Sequence, residues 1–116
     1  MAIAKGNVLG EFALIQRFFT RHTPRAVIGV GDDCALLQPA PGMQMAISTD
    51  MLVAGRHFFA DTDPRGLGHK ALAVNLSDLA ACGATPMAFT LALALPGINE
   101  TWLQGFSRGL LALADA

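Results

Sequence analysis

The chain has 116 residues, 53% of them hydrophobic and 15% charged, with a formal net charge of -1. That balance excludes an intrinsically disordered chain and leaves no basic field to draw in nucleic acid or an anionic membrane surface. The length predicts a single domain over residues 1–116, able to bury roughly two-thirds of its unfolded surface without disulfide staples.

The N-terminus, Met1-Ala-Ile-Ala-Lys-Gly, has no long apolar stretch of the signal-peptide kind. The first predicted element is a helix over Glu11–Arg21. Phe12, Ile15, Phe18 and Phe19 recur there at helical spacing, and Thr23-Pro24 stops it. Ala26–Val30 reads as a short strand broken at Gly29 and Gly31, with Cys34–Leu37 continuing it. Gln38–Gly42, rich in proline, is a turn. Gln44–Thr49 alternates apolar Met45 and Ile47 and reads as a third strand.

Asp61-Thr-Asp-Pro64 is a helix start, with a capping side chain followed by proline in the first turn. The helix should run from Pro64 to Cys82 and stop at Gly83. It is apolar almost all round, so it should be buried. Ala71, Asn75, Asp78 and Cys82 form one stripe on it, beside a stripe of Leu72, Leu76 and Leu79. Thr85–Leu95 reads as a long strand followed by the Pro96-Gly97 turn. Its richest apolar run, Met87–Leu95, falls well short of the ~18 residues of a membrane span. A last helix over Asn99–Ala114 places Trp102, Phe106 and Leu110 on one face. The order of elements implies an α/β (α+β) fold, a mixed sheet with helices packed on one side. Cys34 and Cys82 stand far apart with no CxxC pattern, so a reducing, cytoplasmic setting is expected.

Seven of the nine acidic residues are aspartates, and six of these lie between Asp32 and Asp78. Short carboxylates gathered in this way mark turns, caps or ligands for hard cations. Three places stand out. Gly29-Val-Gly-Asp-Asp33 couples a flexible turn to two acids, and the alternative is a glycine turn with solvated carboxylates. Ser48-Thr-Asp50 puts three oxygen-bearing side chains at the end of an apolar strand, and the alternative is a cap made by Asp50. Asp78 sits on an apolar helix flank, and the alternative is a structural carboxylate bonded to a neighbouring backbone. If Asp33, Asp50 and Asp78 converge, two unit charges 4 Å apart repel by about 4 kcal/mol at an effective dielectric of ~20. A divalent cation removes that penalty. With no Cys or His pattern for zinc, the hard oxygens suit Mg²⁺ with a phosphorylated ligand. His57, after Gly55-Arg56, is either a ligand contact or a surface histidine. His22 and His69 read as surface residues. No Walker A, GxGxxG, GxSxG or HExxH motif is present.

The runs Gly10-Glu-Phe-Ala-Leu-Ile, Gly29-Val-Gly-Asp-Asp-Cys-Ala-Leu-Leu, Ala46-Ile-Ser-Thr-Asp, Leu52-Val-Ala-Gly-Arg-His-Phe and Lys70-Ala-Leu-Ala-Val-Asn-Leu-Ser-Asp-Leu-Ala-Ala-Cys-Gly-Ala resemble bacterial thiamine-monophosphate kinases. The likeness extends through Trp102 and Phe106-Ser107. It implies the ATP-binding fold shared with aminoimidazole ribonucleotide synthetase, whose N-terminal domains pair their sheets into a barrel-like homodimer. It implies transfer of the ATP γ-phosphate to thiamine monophosphate. It places Mg²⁺ ligands at Asp33, Ser48, Thr49, Asp50 and Asp78 and a substrate contact at His57, with Asp32 ranked lower. Thr85–Leu95 is the strand expected to pair between copies. The family's later Gly-Gly-Asp-Thr motif and second domain have no counterpart in these 116 residues, so the resemblance is to the N-terminal domain, which is not expected to turn over alone. Two rival functions stay open: a non-catalytic dimerisation module whose aspartates are caps, and another ATP-using enzyme of the fold group, such as selenophosphate synthetase.

Overall fold

A computed structural model describes residues 10–31, 34–54 and 61–116. Three helices follow in chain order: α1 (Glu11–Phe18), α2 (Pro64–Ala81) and α3 (Glu100–Asp115). The described residues fall into two compact units. One draws on Met1–Met43 and Met87–Asn99, the other on Gln44–Pro86 and Glu100–Ala116.

In the first unit, α1 ends three residues before the expected Arg21. The backbone turns out of the helix at Phe19, whose N–H still reaches the Ile15 carbonyl at 3.0 Å. The Thr20 hydroxyl donates to the same carbonyl at 3.0 Å. A β-branched residue that satisfies a helical carbonyl with its own side chain ends the helix early. Phe18 is buried, and the Arg17 guanidinium lies over its ring, 5.0 Å from the centroid. The two expected strands around the glycine turn do meet, antiparallel, but only at the single bridge Ile28–Leu36. There the Leu36 N–H donates to Ile28 O at 2.9 Å, and Val27 N–H donates to Leu36 O at 2.6 Å.

The second unit is built on α2. Asp63 caps its start: the carboxylate accepts from the Arg65 and Gly66 N–H groups at 3.4 and 3.3 Å. Pro64 opens the first turn, where its missing N–H costs nothing. At the other end Gly83 adopts φ +69°, a left-handed conformation that a residue with a Cβ resists. The Gly83 N–H then reaches Ala80 O at 3.0 Å and the Ala84 N–H reaches Leu79 O at 3.0 Å, the paired bonds of a Schellman end. Cap, proline and terminating glycine all lie where the chain order predicts them.

α3 packs against the first half of α2. Two glycines set the approach. A Cβ on Gly68 would collide with the Phe106 carbonyl oxygen, and one on Gly109 with the Arg65 carbonyl oxygen. Leu67 and Leu72 of α2 are buried, as are Leu103, Phe106 and Leu110 of α3, of which Leu103 has no exposed surface. Trp102 stacks on Phe106, centroids 4.9 Å apart, as neighbours four apart on a helix can.

Two expectations do not hold within the chain. First, α2 is not buried throughout. Beyond Leu72, Leu76 and Leu79 are half-buried, while Asp78, Ala80 and Ala81 are exposed. The glycine-mediated contacts with α3 all fall in its first turns, which leaves the later turns without that cover. Second, no strand ladder forms among the described residues. In Gln44–Thr49 the apolar Met45 and Ile47 are exposed, Ile47 at 81%. In Thr85–Leu95 so are Phe89, Leu91 and Leu93, which share one face in an extended conformation. A strand satisfies its backbone through a neighbouring strand, and among the described residues neither segment is paired into a ladder.

Candidate functional site

The second unit brings together residues that are far apart in the chain. Asn75 and Asp78 stand three apart on α2, so their side chains share a face. The Ser48 hydroxyl reaches that face from the segment before α2. It lies 3.3 Å from Asp78 Oδ2 and 3.5 Å from Asn75 Oδ1, and toward both it can only donate. Ser48 and Asn75 are half-buried, and Asp78 is exposed. Asn75 is itself held: its Nδ2 donates to the Ala71 carbonyl at 3.1 Å. All three groups are oxygen donors, one hydroxyl, one carboxamide and one carboxylate. That is the chemistry hard divalent cations take.

Of the residues singled out in the sequence, the structure therefore joins Ser48 and Asp78. Thr49 and Asp50 follow Ser48 and are exposed. Asp33 and His57, with Asp32 and Arg56, lie outside the described residues. Gly31, which precedes Asp32 in the sequence, has φ +105°, a conformation that a glycine turn supplies. Among the described residues no group of three or more His, Cys, Asp or Glu side chains could hold a metal ion. Asn75 was not singled out from the sequence. Its signal was the shared stripe with Ala71 and Asp78, which spacing shows and which only the approach of Ser48 turns into a site.

A separate concavity of about 260 Å³ is lined by Asp63, Arg65, Gly66, His69, Gly109 and Ala112. The Asp63 carboxylate there is already engaged in capping α2. Cys34 and Cys82 are exposed free thiols. Among the described residues no helix is long and apolar enough to cross a membrane.

Residues 31–116 match the family described as AIR synthase related protein, N-terminal domain. The chain belongs to this family. Within it, the resemblance to thiamine-monophosphate kinases holds across most of the chain. The chain is 57% identical over 109 residues to the thiamine-monophosphate kinase of Salmonella typhimurium, covering 91% of this chain and 34% of that protein. It is 55% identical to the one from Escherichia coli K12 over the same share of each. The crystal structure of thiamine-monophosphate kinase from Stenotrophomonas maltophilia K279a matches with a TM-score of 0.74 and 47% identity, over 92% of this chain and 34% of that one. These matches support the superfamily fold expected from the motifs, that of the AIR synthase related N-terminal domain, while its mixed sheet is not formed among the described residues. The chain spans about a third of the length of these relatives.

Proposed function

We propose that this chain is the N-terminal domain of a thiamine-monophosphate kinase, which moves the γ-phosphate of ATP to thiamine monophosphate and yields thiamine diphosphate and ADP. The observation that carries the activity is identity of 55–57% to proteins of that name over 91% of the chain. The meeting of Ser48 with Asp78 supports the site. In this reading Asp33, Ser48, Thr49, Asp50 and Asp78 hold Mg²⁺, and His57 places the acceptor phosphate ester. Mg²⁺ bound there would neutralise charge on the phosphate oxygens, which is most of what phosphoryl transfer asks of an enzyme. Ser48 and Asp78 contribute oxygens only, and no side chain of this chain acts as a nucleophile.

Residues 1–116 act in this reading as one domain of a cytoplasmic homodimer. The exposed face of Phe89, Leu91 and Leu93 supports a sheet that two copies complete by pairing Thr85–Leu95 with its neighbours into a barrel-like core.

The test is ADP release dependent on thiamine monophosphate, measured against Mg²⁺ concentration in the kinase that carries this domain. Asp50→Ala and Asp78→Ala should each raise the Mg²⁺ requirement. Unchanged activity at low Mg²⁺ in both variants would remove the metal role. Release driven by a different acceptor would move the chain to another ATP-using enzyme of the fold group.

A further inference from the structure

Resting on the cation reading of the site, we propose that Asn75 is a positioning residue, the acceptor of the Ser48 O–H hydrogen bond when the Ser48 oxygen and the Asp78 carboxylate turn to a divalent cation. Ser48 has one hydroxyl proton and two acceptors in reach, Asp78 Oδ2 at 3.3 Å and Asn75 Oδ1 at 3.5 Å. The two compete for it. The charged oxygen is the nearer and the stronger acceptor, since hydrogen bonds to ionised groups are roughly twice as strong as neutral ones.

A cation reverses that order. Its charge repels the hydroxyl hydrogen from any oxygen it binds, and a carboxylate oxygen that ligates it has spent the lone pair facing it. The O–H bond, still intact, must then point toward a neutral acceptor. Asn75 Oδ1 is that acceptor, and its orientation is decided before any ion arrives. The Ala71 carbonyl can only accept, so the Asn75 amide nitrogen must face it, at 3.1 Å. The carboxamide oxygen is left pointing at Ser48. Asn75 and Ser48 are half-buried, so water competes less for this bond than it does at exposed Asp78. The Ala71–Asn75–Ser48 chain of bonds thus orients a ligand as outer partners commonly do, where their loss costs about 10–100-fold in metal affinity.

A double-mutant cycle read by Mg²⁺ calorimetry tests this on the intact chain. Wild type, Asn75→Ala, Ser48→Ala and the double variant are titrated with MgCl₂. Asn75→Ala should weaken Mg²⁺ binding about tenfold in the wild-type background, the low end for such partners. In the Ser48→Ala background the same change should cost little, because the hydroxyl it serves is gone. Equal losses in both backgrounds, or no loss at all, would overturn the proposal while leaving the cation site standing. Absence of Mg²⁺ binding by the wild-type chain would overturn both. Alanine is the better helix former at this position, so Asn75→Ala should melt no lower than wild type in chelator. A lower melting temperature there would make Asn75 structural and overturn its positioning role.

Discussion

The two halves of α2 differ in what holds them. The first half is capped by Asp63, pressed against α3 at Gly68 and buried at Leu67 and Leu72. The second half is half-exposed, yet it carries Asn75 and Asp78, the residues that meet Ser48. One helix thus anchors the unit at one end and presents polar oxygens at the other. Packing and chemistry are separated along a single axis, and changes at each end should be felt in different measurements.

The largest expected effect lies at the anchored end. Leu103→Ala empties a fully buried site and should lower stability by about 2–5 kcal/mol, read as a fall in the urea midpoint with little change in slope. A loss under ~1 kcal/mol would show that the α2–α3 contact repacks freely. Gly68→Ala sharpens the point by adding one methyl where the Phe106 carbonyl leaves no room. It should cost about 1–3 kcal/mol by thermal unfolding, unlike the usual gain from Gly to Ala in a helix. The smallest effect belongs to the other end. Asp78→Ala touches an exposed carboxylate and should change metal-free stability by no more than about 0.5 kcal/mol. It should nonetheless abolish the stabilisation of about 2.7 kcal/mol that a site gains at a hundredfold ligand excess, measured by melting with and without MgCl₂. A large metal-free loss would erase the contrast between the halves.

How far the chain order reveals its own structure follows the range of the forces involved. α2 is legible almost to the residue because Asp63, Pro64 and Gly83 act on atoms only a few positions away. α1 is overextended in the sequence reading because the Thr20 hydroxyl takes a carbonyl that periodicity does not register. The strands are the weak point. Met45, Ile47, Phe89, Leu91 and Leu93 have the alternation of strand residues, but alternation describes a face and not the neighbour that must cover it. Of four expected strands, only the pair around the glycine turn forms a bridge among the described residues, at Ile28 and Leu36. At the site, Ser48 and Asp78 were legible as oxygen chemistry. Asn75 was not, because a carboxamide on a helix stripe has no visible role until a hydroxyl from 27 positions earlier arrives beside it. Asp33 and His57 lie outside the described residues, so the sequence remains their whole basis.

The way α2 ends has an electrical consequence. Its last turn contains no basic residue, and its closing bonds come from backbone N–H groups at Gly83 and Ala84. The partial negative charge that aligned peptide dipoles leave at a helix C-terminus is therefore not offset by a side chain of that turn. Asp78 adds a full charge one turn earlier. A positive ion nearing Ser48 feels both, and the pull fades as added salt shortens the Debye length from about 30 Å at 0.01 M to about 8 Å at 0.15 M.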